Sequence, residues 1–172
     1  MLEITTTICF TTPCLGAQFA RDDTAPAAYL MPRTPDGAVL FMPQWWRAIL
    51  GYGAKLHNGP VALVKRIEWR PAVAGVPSVF RRFTATTATS RRRYITHEAF
   101  RKGDRVGVDC VLPDGLDTAE GVAQFRLYLS VAGQYRGISP YKPGEWGRFD
   151  VVDIGPKDHP ALPPSVDALT ST

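Results

Sequence analysis

The sequence predicts a single α+β domain with the element order strand, helix, strand, strand, helix, strand. Three observations carry this. Residues 4–10 and 105–112 are β-branched or alternating apolar runs. Residues 43–57 open on a proline and carry an approximately helical apolar stripe. Residues 118–132 form a second amphipathic run behind a capping residue, followed by a glycine-punctuated stretch.

The first strand is Ile4-Thr-Thr-Thr-Ile-Cys-Phe10, ended by Pro13 and Gly16. Residues 17–28 read as an Ala- and Asp-rich loop. Tyr29–Met31 and Val39–Met42 flank an Asp36-Gly37 turn and read as a β-hairpin. Pro43 suits the first position of a helix whose stripe is Trp45, Trp46, Ile49, Leu50 and Leu56, and Asn58-Gly59-Pro60 stops it. Gly51 and Gly53 weaken that helix unless another backbone packs closely against them. Val61–Trp69 reads as a strand, and Val79–Phe83 begins another. Residues 84–93 read as an exposed loop or an extended hairpin arm, because Thr84–Ser90 has almost no bulk. Arg105–Leu112 alternates and is a strand ended by Pro113-Asp-Gly115. Asp117 or Thr118 caps a helix that buries Val122, Phe125, Leu129 and Ala132. Trp146–Ile154 is the last strand. Stripped of its hairpins, this order is the split-βαβ, ferredoxin-like plan. The domain is expected over 1–154, with 155–172 as a proline-rich tail.

Apolar content of 45% and charged content of 21% belong to an ordinary globular chain. The net charge of +4 is unevenly spread. Residues 61–105 hold eleven Lys/Arg against three Asp/Glu, whereas 106–172 hold five against nine. Such local cationic surface points to a polyanionic partner, against the plainer reading of a solvated basic face. Three cysteines without a CxxC pair argue against a zinc site or a disulfide framework; Cys9 and Cys110 read as packing residues. No signal peptide and no 18-residue apolar run are visible, so the expectation is a cytoplasmic protein with no membrane contact.

The element order, with a glycine-rich loop between the second helix and last strand, resembles the RAMP superfamily, the CRISPR-associated repeat-binding proteins and their relatives. Residues 4–16 (ITTTICFTTPCLG) look like the first strand and small-residue turn of such domains. Residues 122–149 look like the closing helix, glycine-rich loop and strand, and residues 35–50 fit the start of the first helix. The resemblance covers about half of the chain. It implies a ferredoxin-like fold, RNA or another subunit against the glycine loop, and repeated copies within a multimeric ribonucleoprotein.

Two stretches are candidate nucleic-acid contacts. In the basic arm, Arg81, Arg82, Arg91, Arg92 and Arg93, with Tyr94, can track a phosphate backbone. In the glycine loop, Gly133, Gly137, Gly144 and Gly147 permit tight turns between Arg136, Lys142 and Arg148, with Tyr135, Tyr141 and Trp146 interleaved. Cations supply phosphate contacts and flat rings supply stacking. The plainer reading of this loop is a connection whose glycines only allow turning.

The chain is therefore read as a non-enzymatic subunit that binds single-stranded RNA or DNA, RNA foremost, CRISPR-effector-like or encoded by a phage or mobile element. Its partners would be the nucleic acid, copies of itself, or other subunits. One alternative is a metal-independent endoribonuclease of RAMP type, in which His97 beside the arginines serves as general base; otherwise His97 is a polar surface histidine. Another is an assembly protein that forms homo-oligomers. No cofactor is implied. Asp104, Asp109, Asp114, Asp117 and Glu120 lack metal-ligand spacing and read as turn and cap residues.

Overall fold

The computed structural model describes residues 1–16, 18–20, 28–75, 79–86, 92–139 and 145–157. Strand β1 (Leu2–Phe10) alternates as its sequence does, burying Ile4, Thr6, Ile8 and Phe10. It lies between β9 (Arg105–Leu112) and β10 (Phe149–Pro156), antiparallel to both. On the far edge of β9 lies β6 (Glu68–Ala74), and β5 (Val39–Leu40) closes the sheet. The order is β10-β1-β9-β6-β5, antiparallel throughout.

Helices α1 (Pro43–Leu56) and α3 (Ala119–Tyr135) pack together on one face of this sheet. Pro43 begins α1 as expected. Asn58 ends it in the left-handed region at φ 52°, with the Gly59 N–H donating to the Ala54 carbonyl. The α3 N-cap is Thr118, whose hydroxyl accepts the Gly121 N–H at 3.1 Å. Trp46 and Trp69 stack at 4.6 Å between ring centroids and 9° between planes, joining α1 to β6. Phe125 then packs against Trp69, and Leu129 and Ala132 complete the helix face.

A second sheet is built around β8 (Arg92–Phe100). One edge of β8 pairs along its length with β7 (Val79–Thr86). The other edge takes β2 (Cys14–Leu15), antiparallel, and β4 (Ala28–Leu30), parallel; β3 (Gln18–Ala20) lies beyond β4.

Several expectations are corrected. Residues 61–69 are not one strand: Val61–Val64 is a short helix, α2, and only Glu68 onward is extended. The apolar run has no alternation, and Val64 and Ile67 bury themselves three residues apart, a helical spacing. Residues 17–28, read as a loop, contain β3 and the start of β4. The Asp36-Gly37 turn is present, with Gly37 at φ +90° and its N–H on the Thr34 carbonyl, and Arg33 and Val39 form an antiparallel bridge across it, but the flanking strands β4 and β5 join different sheets. Leu56 is 53% exposed and stands outside the α1 stripe. Of the cysteines, Cys14 and Cys110 are buried, and Cys9 only half so. The last strand starts at Phe149 rather than Trp146 and runs past 154, pairing Pro156 with Ile4. Residues 158–172 of the expected tail lie outside the described residues.

The two glycines of α1 differ. A Cβ at Gly53 would collide with the Tyr128 carbonyl of α3, so this glycine is what lets the helices approach. A Cβ at Gly51 would meet nothing within 4 Å. Gly53→Ala is therefore expected to destabilise the fold by about 1–3 kcal/mol. Gly51→Ala is expected to stabilise it by about 0.5–1 kcal/mol through helix propensity. Urea unfolding of both variants checks the contrast.

Candidate nucleic-acid interface

The basic arm begins as a regular two-stranded ladder. Its rungs run from Val79↔Ala99 to Thr86↔Arg92 without a register break. Arg81 stands opposite His97, Arg82 opposite Thr96, Tyr94 opposite Thr84, and Arg93 opposite Ala85. The hairpin expected over 84–93 is thus paired up to Thr86 and Arg92. Arg91 lies outside the described residues.

The inner end of this ladder is anchored by a buried polar junction that sequence reasoning missed. Glu98 is 5% exposed. One carboxylate oxygen pairs with Arg33 Nη2, and the other accepts the Met31 N–H at 2.7 Å. The Glu98 carbonyl accepts the Gly16 N–H at 2.8 Å. A buried carboxylate needs such partners to offset its lost hydration. No local pattern marks the pair, since Arg33 and Glu98 lie 65 residues apart, with α1, β6 and β7 between them.

His97 is corrected by the same junction. It is fully buried, stacks on Tyr29 at 5.1 Å, and its Nδ1 lies 2.8 Å from the Gly16 carbonyl, which accepts its N–H. A general base must reach a substrate proton, and this ring is enclosed instead. The surface position expected beside the arginines is not what it occupies. Of the other histidines, His57 caps α1 against Tyr128, and His159 lies outside the described residues.

The glycine loop has a closed neck. Gly133 is not in the loop: it lies inside α3, where a Cβ would collide with Phe149. Gly137 (φ +75°) and Gly147 (φ +67°) face each other across the neck, and the Ile138 N–H donates to the Gly147 carbonyl at 2.8 Å. The turn after β1 seals it. Gly147 N–H donates to the Pro13 carbonyl at 2.8 Å, Arg148 N–H to Thr12 Oγ1 at 2.9 Å, and Thr11 N–H to the Arg148 carbonyl at 2.8 Å. Cys14 Sγ donates to the Ile138 carbonyl at 3.1 Å, and burial pushes its thiol pKa up. These two glycines thus serve close backbone approach. Arg148 has a buried Nε with no hydrogen-bond partner among the described residues. Lys142, Gly144 and Tyr141 lie outside the described residues.

Arg136 belongs elsewhere. It is the C-cap residue of α3, its guanidinium 5.7 Å from the centre of the Tyr52 ring. With Arg47, Lys55 and Lys65 it lines a pocket of about 240 Å³ on the helical side. Arg47, Gly51 and Lys55 recur every fourth residue, the one sequence signal that could have found this group.

Among the described residues, the open face of the first sheet carries no aromatic stacking platform on β1 or β9. Its residues on β1 and β9 include Glu3, Thr5 and Asp109, with Thr5 Oγ1 donating to Asp109 at 2.7 Å. Lys157 pairs with Glu3 at 2.7 Å, which holds that carboxyl below its usual range. Asp104 accepts the Arg101 N–H at 2.7 Å, and Asp117 accepts the Gly115 N–H at 3.2 Å. Among the described residues, no three His, Cys, Asp or Glu side chains come together as a metal site would require. Likewise, no helix among them is long and apolar enough to cross a membrane.

No family model and no curated protein matches the chain. Solved structures do. The chain is similar to one in the cryo-EM structure of the type III-B Cmr-β complex bound to cognate target RNA, at TM-score 0.61 and 7% identity. That likeness covers 89% of this chain and 59% of the other, so this chain spans about three fifths of its neighbour's length. It is also similar to a chain of a type IV-B CRISPR complex, at TM-score 0.55 and 12% identity, over 99% of this chain and 100% of the other. At these identities, what is shared is the fold.

Two outcomes are expected of the polar junction. Glu98→Ala removes the partner of Arg33 and of the Met31 N–H, and should cost about 3 kcal/mol in urea unfolding. Burial holds the His97 pKa below its ordinary value, although the Gly16 carbonyl opposes the shift. The unfolded chain then binds a proton that the folded chain resists as pH falls through about 6.5. Stability contributed by neutral His97 is complete above that pH and is lost below it. Unfolding free energy should fall between about pH 7.5 and about pH 5, and fall less steeply in His97→Asn.

Proposed function

We propose that this chain is a ferredoxin-like, RAMP-type subunit of a ribonucleoprotein, and that it binds single-stranded nucleic acid, RNA foremost, through the β7–β8 hairpin. The observation that carries this reading is the unbroken ladder from Val79↔Ala99 to Thr86↔Arg92. It sets Arg81, Arg82, Arg92 and Arg93 on one two-stranded ribbon whose inner end is fixed by Glu98. A cationic ribbon of fixed geometry can follow a phosphate backbone without reading its bases.

Further support comes from the antiparallel order β10-β1-β9-β6 beside α1 and α3, which is read here as the split-βαβ plan. The folds it shares come from CRISPR complexes, one of them bound to target RNA. In this reading the protein contributes binding rather than chemistry. The enclosed His97 would order the hairpin's base, and the glycine loop closed at Gly137 and Gly147 would be a contact for RNA or a neighbouring subunit.

The test is binding of the purified, nuclease-treated protein to labelled single-stranded RNA and DNA over a salt series, alongside Arg91/Arg92/Arg93→Ala. Each phosphate of a single strand that the protein no longer neutralises flattens the log–log salt slope by about 0.7, so the variant's slope should be shallower by about 2. A wild type that binds neither nucleic acid at low salt, or a variant with an unchanged slope, overturns the assignment to the hairpin.

A further inference from the structure

The helical side carries a second cationic group that shares no residue with the hairpin. Arg47, Lys55, Lys65 and Arg136 line one pocket of about 240 Å³, together with Ala48, Gly51, Tyr52 and Val61. No carboxylate is among its lining residues, and none of the four cations forms an ion pair among the described residues. This contrasts with the open sheet face, where Arg70 and Lys157 both meet Glu3.

Helix ends account for part of this charge. Lys55 lies in the last turn of α1 and Arg136 caps α3, where cations complement the exposed carbonyls. Arg47 has no such reason to be there: it lies in the second turn of α1, away from the terminal carbonyls, and no carboxylate pairs with it among the described residues.

Gly51 gives independent evidence. A glycine inside a helix weakens it, and Gly53 justifies itself by admitting the Tyr128 carbonyl. Gly51 admits nothing of the protein, since a Cβ there would find open space. That space is the pocket, and Gly51 stands in its wall between Arg47 and Lys55. Tyr52 fixes the Arg136 guanidinium over its ring, limiting the freedom a guanidinium loses on binding an oxyanion.

We infer that this pocket is a binding site for a phosphate group, held by Arg47, Lys55, Lys65 and Arg136 against the bare backbone at Gly51. A multiply charged oxyanion suits a pocket lined by four cations and no carboxylate, and arginine forks suit its tetrahedral oxygens. The same group could come from a free phosphorylated small molecule or from a nucleic-acid strand. The site itself does not depend on the hairpin reading.

Calorimetric titration of the full chain with inorganic pyrophosphate tests it. Saturable binding is expected, weakened by roughly tenfold or more in Arg47→Gln/Lys65→Gln, where both residues are exposed and the fold is untouched. Gly51→Leu keeps every cation but fills the pocket, and a similar weakening is expected. Competition by a 5′-hydroxyl RNA oligonucleotide in the Arg91/Arg92/Arg93→Ala background separates the sources. Displacement assigns the phosphate to a strand; no displacement assigns it to a free phosphorylated molecule, and both support the site. Absence of saturable pyrophosphate binding, or wild-type affinity in Gly51→Leu, overturns it. Because pyrophosphate is the probe, that result is legible whether or not the protein binds RNA.

Discussion

Phe10 stacked on Phe100 is the contact on which the rest of the molecule depends. The rings lie 5.5 Å apart, with Phe41 edge-on to both. Phe10 ends β1, an interior strand of the first sheet, and Phe100 ends β8, the axis of the second. All three rings are fully or almost fully buried. The two sheets are thereby given one core, and Phe41 continues it to Trp45 and Trp46 of α1. The turn that follows Phe10 closes the glycine neck on one side and becomes β2 on the other. The hairpin, the neck and the helical layer all take their positions from this one corner.

Much of the helix-and-strand order is legible in the chain because its signals are local. The alternation in β1 and β9, Pro43 before α1, Asn58-Gly59 after it and Thr118 before α3 each act within a few residues. What fails is whatever depends on a distant partner. Val61-Ala-Leu-Val is apolar enough for a strand, but it lies next to the helices and coils instead. The Asp36-Gly37 turn is readable, yet nothing near it says that β4 will join Thr96 and His97 while β5 joins Ala72 and Val73.

The same division holds for the candidate sites. Three adjacent arginines announce a basic arm, whereas the helical pocket joins Arg136 to residues 47–65 and has no linear pattern beyond Arg47-Gly51-Lys55. Neighbours in sequence put His97 among arginines, but its neighbours in space, Gly16 and Tyr29, decide its environment. Spacing groups Gly133 with the loop, but Phe149 claims it for the helix. Arg136 sits in the same sequence stretch and turns to Tyr52 instead.

The placement of β1 also has a consequence for how the chain is made. The ribosome delivers this strand early, yet its partners come much later: Leu2 pairs with Leu112, and Ile4 with Pro156. Until β9 is complete, both edges of β1 are open, and until β10 emerges, one edge remains so. An unpaired edge rich in threonine and isoleucine is a template for strands of other nascent chains. Between the emergence of β1 and that of β10 the domain therefore carries an interior strand with an open edge, and a product truncated before Phe149 would keep that edge for good.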